Sequence, residues 1–175
     1  MKDPSPWKNN GKDWTLLFKT GDSVDMQLGT NPDANPNRTG PVQGDLRLLI
    51  APFNGENIAV LYRHRLPEAT DGVTFTSPWR SERVDSVKRL TTAKIAVKVE
   101  GNQYRVEAAI PLIELGFKPI PGKSYKIDFG ALGGDDDGKI TLLRAYWSNQ
   151  FTGLVNDVPG EIMLTPTAWG TVEFK

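Results

Sequence analysis

Residues 146–161 combine an indole ring with amide side chains, a mixture typical of a ligand-binding loop. Trp147 is closely followed by Asn149 and Gln150, and a flat indole face can bind a sugar ring while amides bind its hydroxyl groups. Trp79, next to Arg80, is a second indole in a polar setting. The alternative is that both indoles are buried and only anchor loops. The candidate ligand-binding residues from these two stretches are Trp79, Arg80, Trp147, Asn149 and Gln150.

Acidic residues form two candidate metal sites. Asp135, Asp136 and Asp137 are consecutive and lie between glycines, and calcium accepts a cluster of oxygen ligands in a flexible loop. The alternative is a solvated β-turn that carries acids at its tip. Asp157 and Glu161 form the second candidate. The ligand spacing of an EF-hand is missing from both.

Composition argues against several other classes of site. Lys+Arg and Asp+Glu both number 21, so no global field attracts nucleic acid. The absence of cysteine excludes disulfides and thiol catalysis. The one histidine, His64, lies in a strand pattern without a nucleophile motif beside it. One alternative stays open at this point: a glycan-active enzyme with paired carboxylates.

Short segments that alternate apolar and polar residues must position these side chains. Residues 94–100 and 103–109 both alternate, and Gly101-Asn102 between them predicts a hairpin. Residues 111–116 predict one short helical turn, and residues 29–45 a long irregular loop. Further strands are predicted in residues 14–19, 23–29, 45–53, 56–66, 124–132, 140–147 and 171–174.

These elements predict an all-β fold. About nine to eleven strands, frequent turns and the lack of long helical patterns are typical of an antiparallel β-sandwich of jelly-roll-like form. At 175 residues the chain is long enough for one core. We therefore expect residues 1–175 to form a single domain.

The second half of the chain resembles a known family. The motifs are "AAIPLIELG", the "PG" before the next strand, and the closing "PTAWGTV". Together they resemble the carbohydrate-binding-module family 9-like domains of bacterial secreted and surface proteins, within the wider DOMON-like group of β-sandwiches. The likeness extends from about residue 14 to the C-terminus. Because the wider group also includes haem-binding domains, the resemblance leaves haem electron transfer open as an alternative, with His64, Met26 and Met163 as the available axial-ligand types.

The resemblance implies a module that binds a polysaccharide or oligosaccharide, often with calcium, and is joined to another module. Arg144 and Trp147 fall in the family's R-x-Y-W region, which adds Arg144 to the ligand-binding candidates. The resemblance also implies secretion, a periplasmic location or the cell surface, with any signal peptide outside this chain. Neither a nucleic-acid partner nor a membrane span is expected.

The start of the chain departs from the family pattern. Family members begin with one or two further strands, whereas this sequence begins close to "KDPSPW". The resemblance then implies an open sheet edge, to be covered by a partner, a swapped segment or a domain of the parent protein. The alternative is that the leading strands are not essential in this chain.

Overall fold

The computed structural model describes residues 6–151 and 157–175. Within these residues lie three short helices, α1 (Val158–Ile162) and 3₁₀ helices at Trp14–Lys19 and Pro166–Ala168. None of them is long and apolar enough to cross a membrane. The same residues form eleven strands: β1 (Ser23–Gly29), β2 (Asp45–Phe53), β3 (Glu56–Arg63), β4 (Val73–Thr76), β5 (Ser81–Val84), β6 (Ser86–Arg89), β7 (Lys94–Glu100), β8 (Gln103–Ala109), β9 (Ser124–Gly134), β10 (Thr141–Tyr146) and β11 (Gly170–Glu173).

Seven antiparallel strands form one large sheet in the order β10, β9, β1, β2, β3, β6, with β11 also paired to β9. Strand β9 has two partners on one edge, because β10 pairs with its C-terminal half and β11 with its N-terminal half. Strand β2 is apolar at most positions and largely buried on both faces, as expected for a strand covered on two sides. The all-β, sandwich-like fold predicted from the sequence is confirmed.

One face of the large sheet, here called the first face, is covered by α1, the 3₁₀ helix Trp14–Lys19 and the β4–β5 hairpin. The ring of Phe18 packs edge-on against Tyr62 and Phe75, with centroids 6.0 and 5.8 Å apart. This face is therefore closed by a well-packed layer. Its core includes Leu17, Phe18, Leu49, Val60, Tyr62, Phe75, Val84, Leu132 and Ile162.

The opposite face, here called the second face, is covered only in part. The described residues above it are mainly the two-stranded β7–β8 hairpin and the turns of residues 111–117. Strand β7 contacts β3, so the hairpin lies over the β2–β3 half of the sheet. On the β1–β9 half, Val24 and Met26 are half-buried and Phe129 is 50% exposed. The second core includes Leu46, Leu48, Leu61, Leu115, Phe117, Tyr125 and Ile127.

A buried ion pair lies on the first face. The Nη2 atom of Arg47 is 2.6 Å from Oδ2 of Asp25, and the hydroxyl of Tyr146 donates to the same carboxylate. Burial alone would lower the pKa of Arg47, but the Asp25 carboxylate raises it above its ordinary value. Burial and the Asp25 charge together raise the pKa of Tyr146. Removing one partner would leave an unpaired buried charge, at a cost of about 3–5 kcal/mol.

The strands predicted from alternation, including the β7–β8 hairpin, are confirmed except for residues 14–19. There the Asp13 carboxylate accepts the Thr15 N–H at 2.9 Å and begins a 3₁₀ helix. The neighbouring residues Leu17 and Phe18 both enter the first core. A strand would send these two side chains to opposite faces, so the strand prediction was wrong.

The shorter elements follow local rules. The predicted turn at residues 111–116 is a run of overlapping turns, in which the Gly116 N–H donates to the Ile113 carbonyl at 3.0 Å and Gly116 has a φ of 60°. The loop between β1 and β2 is irregular as predicted, and its Arg38 forms a buried ion pair with Asp45, the first residue of β2. Strands β4, β5 and β6 were missed. Each has only four residues, and β5 and β6 each contain a single apolar residue, so alternation gives little signal there. Strand β11 is equally short but was predicted.

His64 lies just beyond the end of β3 and is fully buried. Its Nε2–H donates to the carbonyl of Ile162 in α1 at 2.8 Å. Burial lowers the pKa of His64 to about 4, and the nearby charges of Arg47 and Arg65 act in the same direction. The folded protein therefore holds a neutral histidine over a wide pH range.

This pKa shift makes stability depend on pH. An unfolded histidine titrates at about pH 6.5. Between about pH 6.5 and pH 4 the unfolded chain therefore binds a proton on His64, whereas the folded chain does not. The His64 contribution is complete above about pH 6.5, and about 3 kcal/mol is lost by about pH 4. In denaturant unfolding from about pH 7 to about pH 4, His64→Gln keeps a donor toward Ile162 and should lack this loss. If the free energy of unfolding of the wild type and of His64→Gln fell equally with pH, the burial of a neutral His64 would be contradicted.

Candidate functional site

Trp147 directly follows β10, and its indole is exposed on one side and packed against backbone on another. The backbone N–H of Trp147 donates to the carbonyl of Phe129 at 2.8 Å, and the Trp147 side chain is 60% exposed. The ring lies against Gly170, where an added Cβ would be 2.7 Å from Cη2 of the indole. One side of the ring is thus supported by backbone while much of the rest meets solvent. This close contact limits the orientations that the indole can adopt.

The position of Gly170 also shows which side of the sheet the indole occupies. Gly170 is paired with Ile127, whose side chain belongs to the second core. Directly opposed residues of an antiparallel pair point to the same face. Trp147 therefore lies on the second face, next to the exposed ring of Phe129 and on the half of the sheet that the β7–β8 hairpin leaves uncovered.

Polar groups fix the turn that follows the indole. The buried Asp128 carboxylate accepts the N–H groups of Ser148 and Asn149 at 2.8 and 3.0 Å. The Gln150 amide nitrogen donates to the carbonyls of Tyr146 and Trp147 at 2.9 and 3.1 Å. The Asn149 Oδ1 atom accepts the N–H of Phe151 at 3.1 Å. Among the described residues no hydrogen bond uses Nδ2 of Asn149 or Oε1 of Gln150, so each can meet a ligand hydroxyl.

Trp79 lies in the loop of the β4–β5 hairpin and is 79% exposed. The Ser77 hydroxyl oxygen accepts the N–H groups of Trp79 and Arg80 at 3.3 Å each. This hairpin supplies Phe75 to the core of the first face, whereas Trp147 lies on the second face. The two indoles are on opposite sides of the large sheet, so the structure does not bring them together as one clamp.

Arg144 faces the interior of the first face. Its guanidinium forms an ion pair with Glu161 and donates to the carbonyl of Phe18 at 2.9 Å. Burial, reinforced by the positive charge of Arg47, lowers the pKa of Arg144. Alternation along β10 accounts for this placement, because Arg144 and Tyr146 share one face and Trp147 takes the other. The structure thus separates Arg144 from the exposed indole.

The carboxylates of Asp157 and Glu161 are also buried, and both have cationic partners. Asp157 caps α1 by accepting the N–H of Gly160 at 3.2 Å and lies 2.7 Å from Nε of Arg80. Glu161 pairs with Arg144 and, at 2.7 Å, with Nζ of Lys19. These contacts tie α1 to the elements around it.

The acidic loop forms a hydrogen-bonded turn. The Asp135 carboxylate accepts the N–H groups of Lys139 and Ile140 at 2.6 and 3.1 Å, and these bonds lower the pKa of Asp135. Asp137 lies 2.9 Å from Nζ of Lys139, and the Asp136 carbonyl accepts a bond from Nζ of Lys8 at 2.6 Å. Across residues 6–151 and 157–175, no group of three or more acidic or histidine side chains could hold a metal ion.

The residues considered as haem ligands are dispersed. His64 is buried and bonded to α1 on the first face. Met26 is half-buried and packs against the second core, on the opposite side of the sheet. Met163 directly follows α1 and is 44% exposed.

Three residues of the Trp147 site were missed by sequence reasoning: Asp128, Phe129 and Gly170. Phe129 continues the alternation of Tyr125 and Ile127 along β9, so its direction could have been read, although its exposure could not. Asp128 bonds the turn at Ser148 and Asn149, and Gly170 lies against the ring of Trp147. These partners are distant in sequence, and no local sequence pattern indicates such contacts.

Comparisons with known proteins add no family to this description. No protein-family model matches the chain, and no curated protein matches it. The likeness to family 9-like modules therefore stays a prediction from sequence motifs.

The contact between Gly170 and Trp147 can be tested by adding one methyl group. In Gly170→Ala the new Cβ would overlap the indole, so we expect the ring to tilt away while the fold is kept. The ¹H–¹⁵N signal of the Trp147 indole, assigned with Trp147→Phe, should shift. Gly40→Ala is the matched control, because a Cβ there meets nothing within 4 Å. An indole signal that is the same in both alanine variants would contradict the contact.

Proposed function

We propose that the chain is a non-catalytic carbohydrate-binding module that uses Trp147 as its stacking surface. One observation carries the proposal: the indole rests on Gly170 while 60% of the side chain stays exposed beside two amide side chains. A single exposed apolar side chain is ordinary, but Trp147 lies next to the half-exposed ring of Phe129, and contiguous apolar surface of this kind is typical of interaction sites. The sequence resemblance supports the same class of ligand.

The binding mode follows from the chemistry of the site. A pyranose ring has an apolar face of C–H groups, which removes the indole from water when the two stack. The Nδ2 group of Asn149 then donates to one ring hydroxyl, and Oε1 of Gln150 accepts from another. Both amides are already ordered by the turn, so little side-chain freedom is lost on binding.

Other parts of the proposal rest on the sequence. Attachment to a further module and a secreted, periplasmic or cell-surface location come from the resemblance. Calcium bound by the acidic loop of residues 135–137 comes from the resemblance and from the run of three aspartates. Asp157 and Glu161 are assigned a structural role instead, because their ion pairs already neutralise them. Arg144 is left out of the ligand site for the same reason.

The proposal is tested by affinity electrophoresis in gels that contain a panel of soluble polysaccharides. We expect the wild-type chain to be retarded by at least one of them. Trp147→Ala should weaken that retention at least about tenfold, equivalent to about 1.4 kcal/mol, because the stacking surface is gone. Trp79→Ala is the matched control, since it removes an exposed indole from the opposite side of the sheet and should bind like the wild type.

The outcomes separate the site from the function. Retention that survives Trp147→Ala but is lost in Trp79→Ala would move the site to the β4–β5 hairpin. A chain that no polysaccharide retards would contradict carbohydrate binding itself. Running the panel with and without a chelator tests the calcium part separately, because only a calcium-dependent site should lose retention.

A further inference from the structure

The uncovered half of the second face is bordered by a strand edge. The two-residue turn Gly101-Asn102 is closed by the pair Glu100 and Gln103. Because opposed residues alternate between hydrogen-bonded and non-hydrogen-bonded pairs, Val106 and Ala108 point their backbone N–H and C=O groups away from β7. No strand of the described residues pairs with this outer edge of β8. Val106 and Ala108 thus present an available β-sheet edge.

A groove of about 560 Å³ runs beside this edge. Its floor is the uncovered part of the large sheet and its wall is the inward face of β8. The lining is mostly apolar, and Phe129 on the floor is half exposed. A groove of this size is within the range of ligand sites. Its main apolar residues are Val24, Met26, Leu48, Ile50, Val106 and Phe129.

We propose that this groove binds an extended strand of a partner polypeptide, which pairs antiparallel with the outer edge of β8. The available backbone groups of Val106 and Ala108 select a polypeptide over a saccharide or lipid, because only a strand satisfies both of their N–H and C=O groups in register. Side chains at alternate positions of that strand would point inward and cover Met26 and Phe129. The proposal does not depend on carbohydrate binding at Trp147.

Charge on the outward face of β8 defines the partner further. Arg105 and Glu107 flank Val106 and are both exposed. In an antiparallel pair they would face the partner at non-hydrogen-bonded positions, where side chains are closest. The complementary strand therefore carries an acid opposite Arg105, a base opposite Glu107 and apolar residues between them. Read from its N-terminus, its pattern is apolar, basic, apolar, acidic, apolar.

A second copy of this chain fits the edge less well. Arg105 would face Glu107 of the other copy in a symmetric β8–β8 pair, so charge alone would allow it. The twofold axis of an antiparallel pair is perpendicular to the sheet, however, and both large sheets would lie on the same side. Strands β1 and β9, which form the groove floor, extend beyond the edge of β8. The β1 and β9 strands of the two copies would therefore collide.

The test uses the acetylated, amidated peptide Thr-Val-Lys-Val-Glu-Val-Thr, labelled with a fluorophore, in anisotropy titrations with the whole chain. We expect saturable binding, and none for the same peptide with an N-methyl group on its central valine. Val106→Pro removes an outward N–H without touching the β7 ladder, and should weaken binding at least about tenfold. Val97→Pro is the matched control, because Val97 is the direct partner of Val106 and faces the other edge of the hairpin.

A second pair of variants covers the case in which Val106→Pro does not fold. Phe129→Ser on the groove floor should also weaken binding, whereas Ile113→Ser, which changes an apolar residue that is 85% exposed and does not line the groove, should not. Equal affinity in Val106→Pro and Val97→Pro, or in the two serine variants, would overturn the proposal. So would a dimer in analytical ultracentrifugation that Phe129→Ser dissociates, because the occupant would then be a second copy.

Discussion

The apolar residues on both faces of one large sheet impose the main constraint on this molecule, since each face has to be removed from water. The first face achieves this with two short helices and a hairpin that meet around Phe18. On the second face the described residues supply mainly one hairpin and a run of turns, which lie over about half of the strands. The exposed ring of Phe129, the supported indole of Trp147 and the available edge of β8 all result from that incomplete cover.

Charge buried on the first face determines which side chains remain for the second. The pairs Asp25–Arg47 and Arg144–Glu161 lie beneath α1, and buried charges are tolerated only when they are paired. Because β10 alternates, committing Arg144 and Tyr146 to these inward contacts directs Trp147 to the opposite face. A slip of one residue in β10 would bury the indole and expose the arginine. The interior ion pairs therefore help to specify which side chains of β10 and the following turn are exposed.

Much of the architecture followed from local patterns. Alternation identified the β7–β8 hairpin and the long strands of the large sheet, since their length lets a two-residue period be recognised. It failed at residues 14–19, where Leu17 and Phe18 both pack inward from a 3₁₀ helix, and at the short strands β4, β5 and β6. Among site residues, Trp79 and Trp147 are exposed as the favoured interpretation required. The separation of the two indoles and the support from Gly170 depend on sheet register, which a single sequence does not specify.

Solvent access to the β1–β9 half of the second face is the most direct test of this account. Hydroxyl-radical footprinting of the whole chain, read by mass spectrometry, reports oxidation at individual side chains. We expect Met26, Phe129 and Trp147 to be oxidised readily, and Tyr125 and Trp169, which are buried, to be protected. If Phe129 and Trp147 were protected as strongly as Trp169 in the monomeric chain, that half of the sheet would be covered and the account would be contradicted.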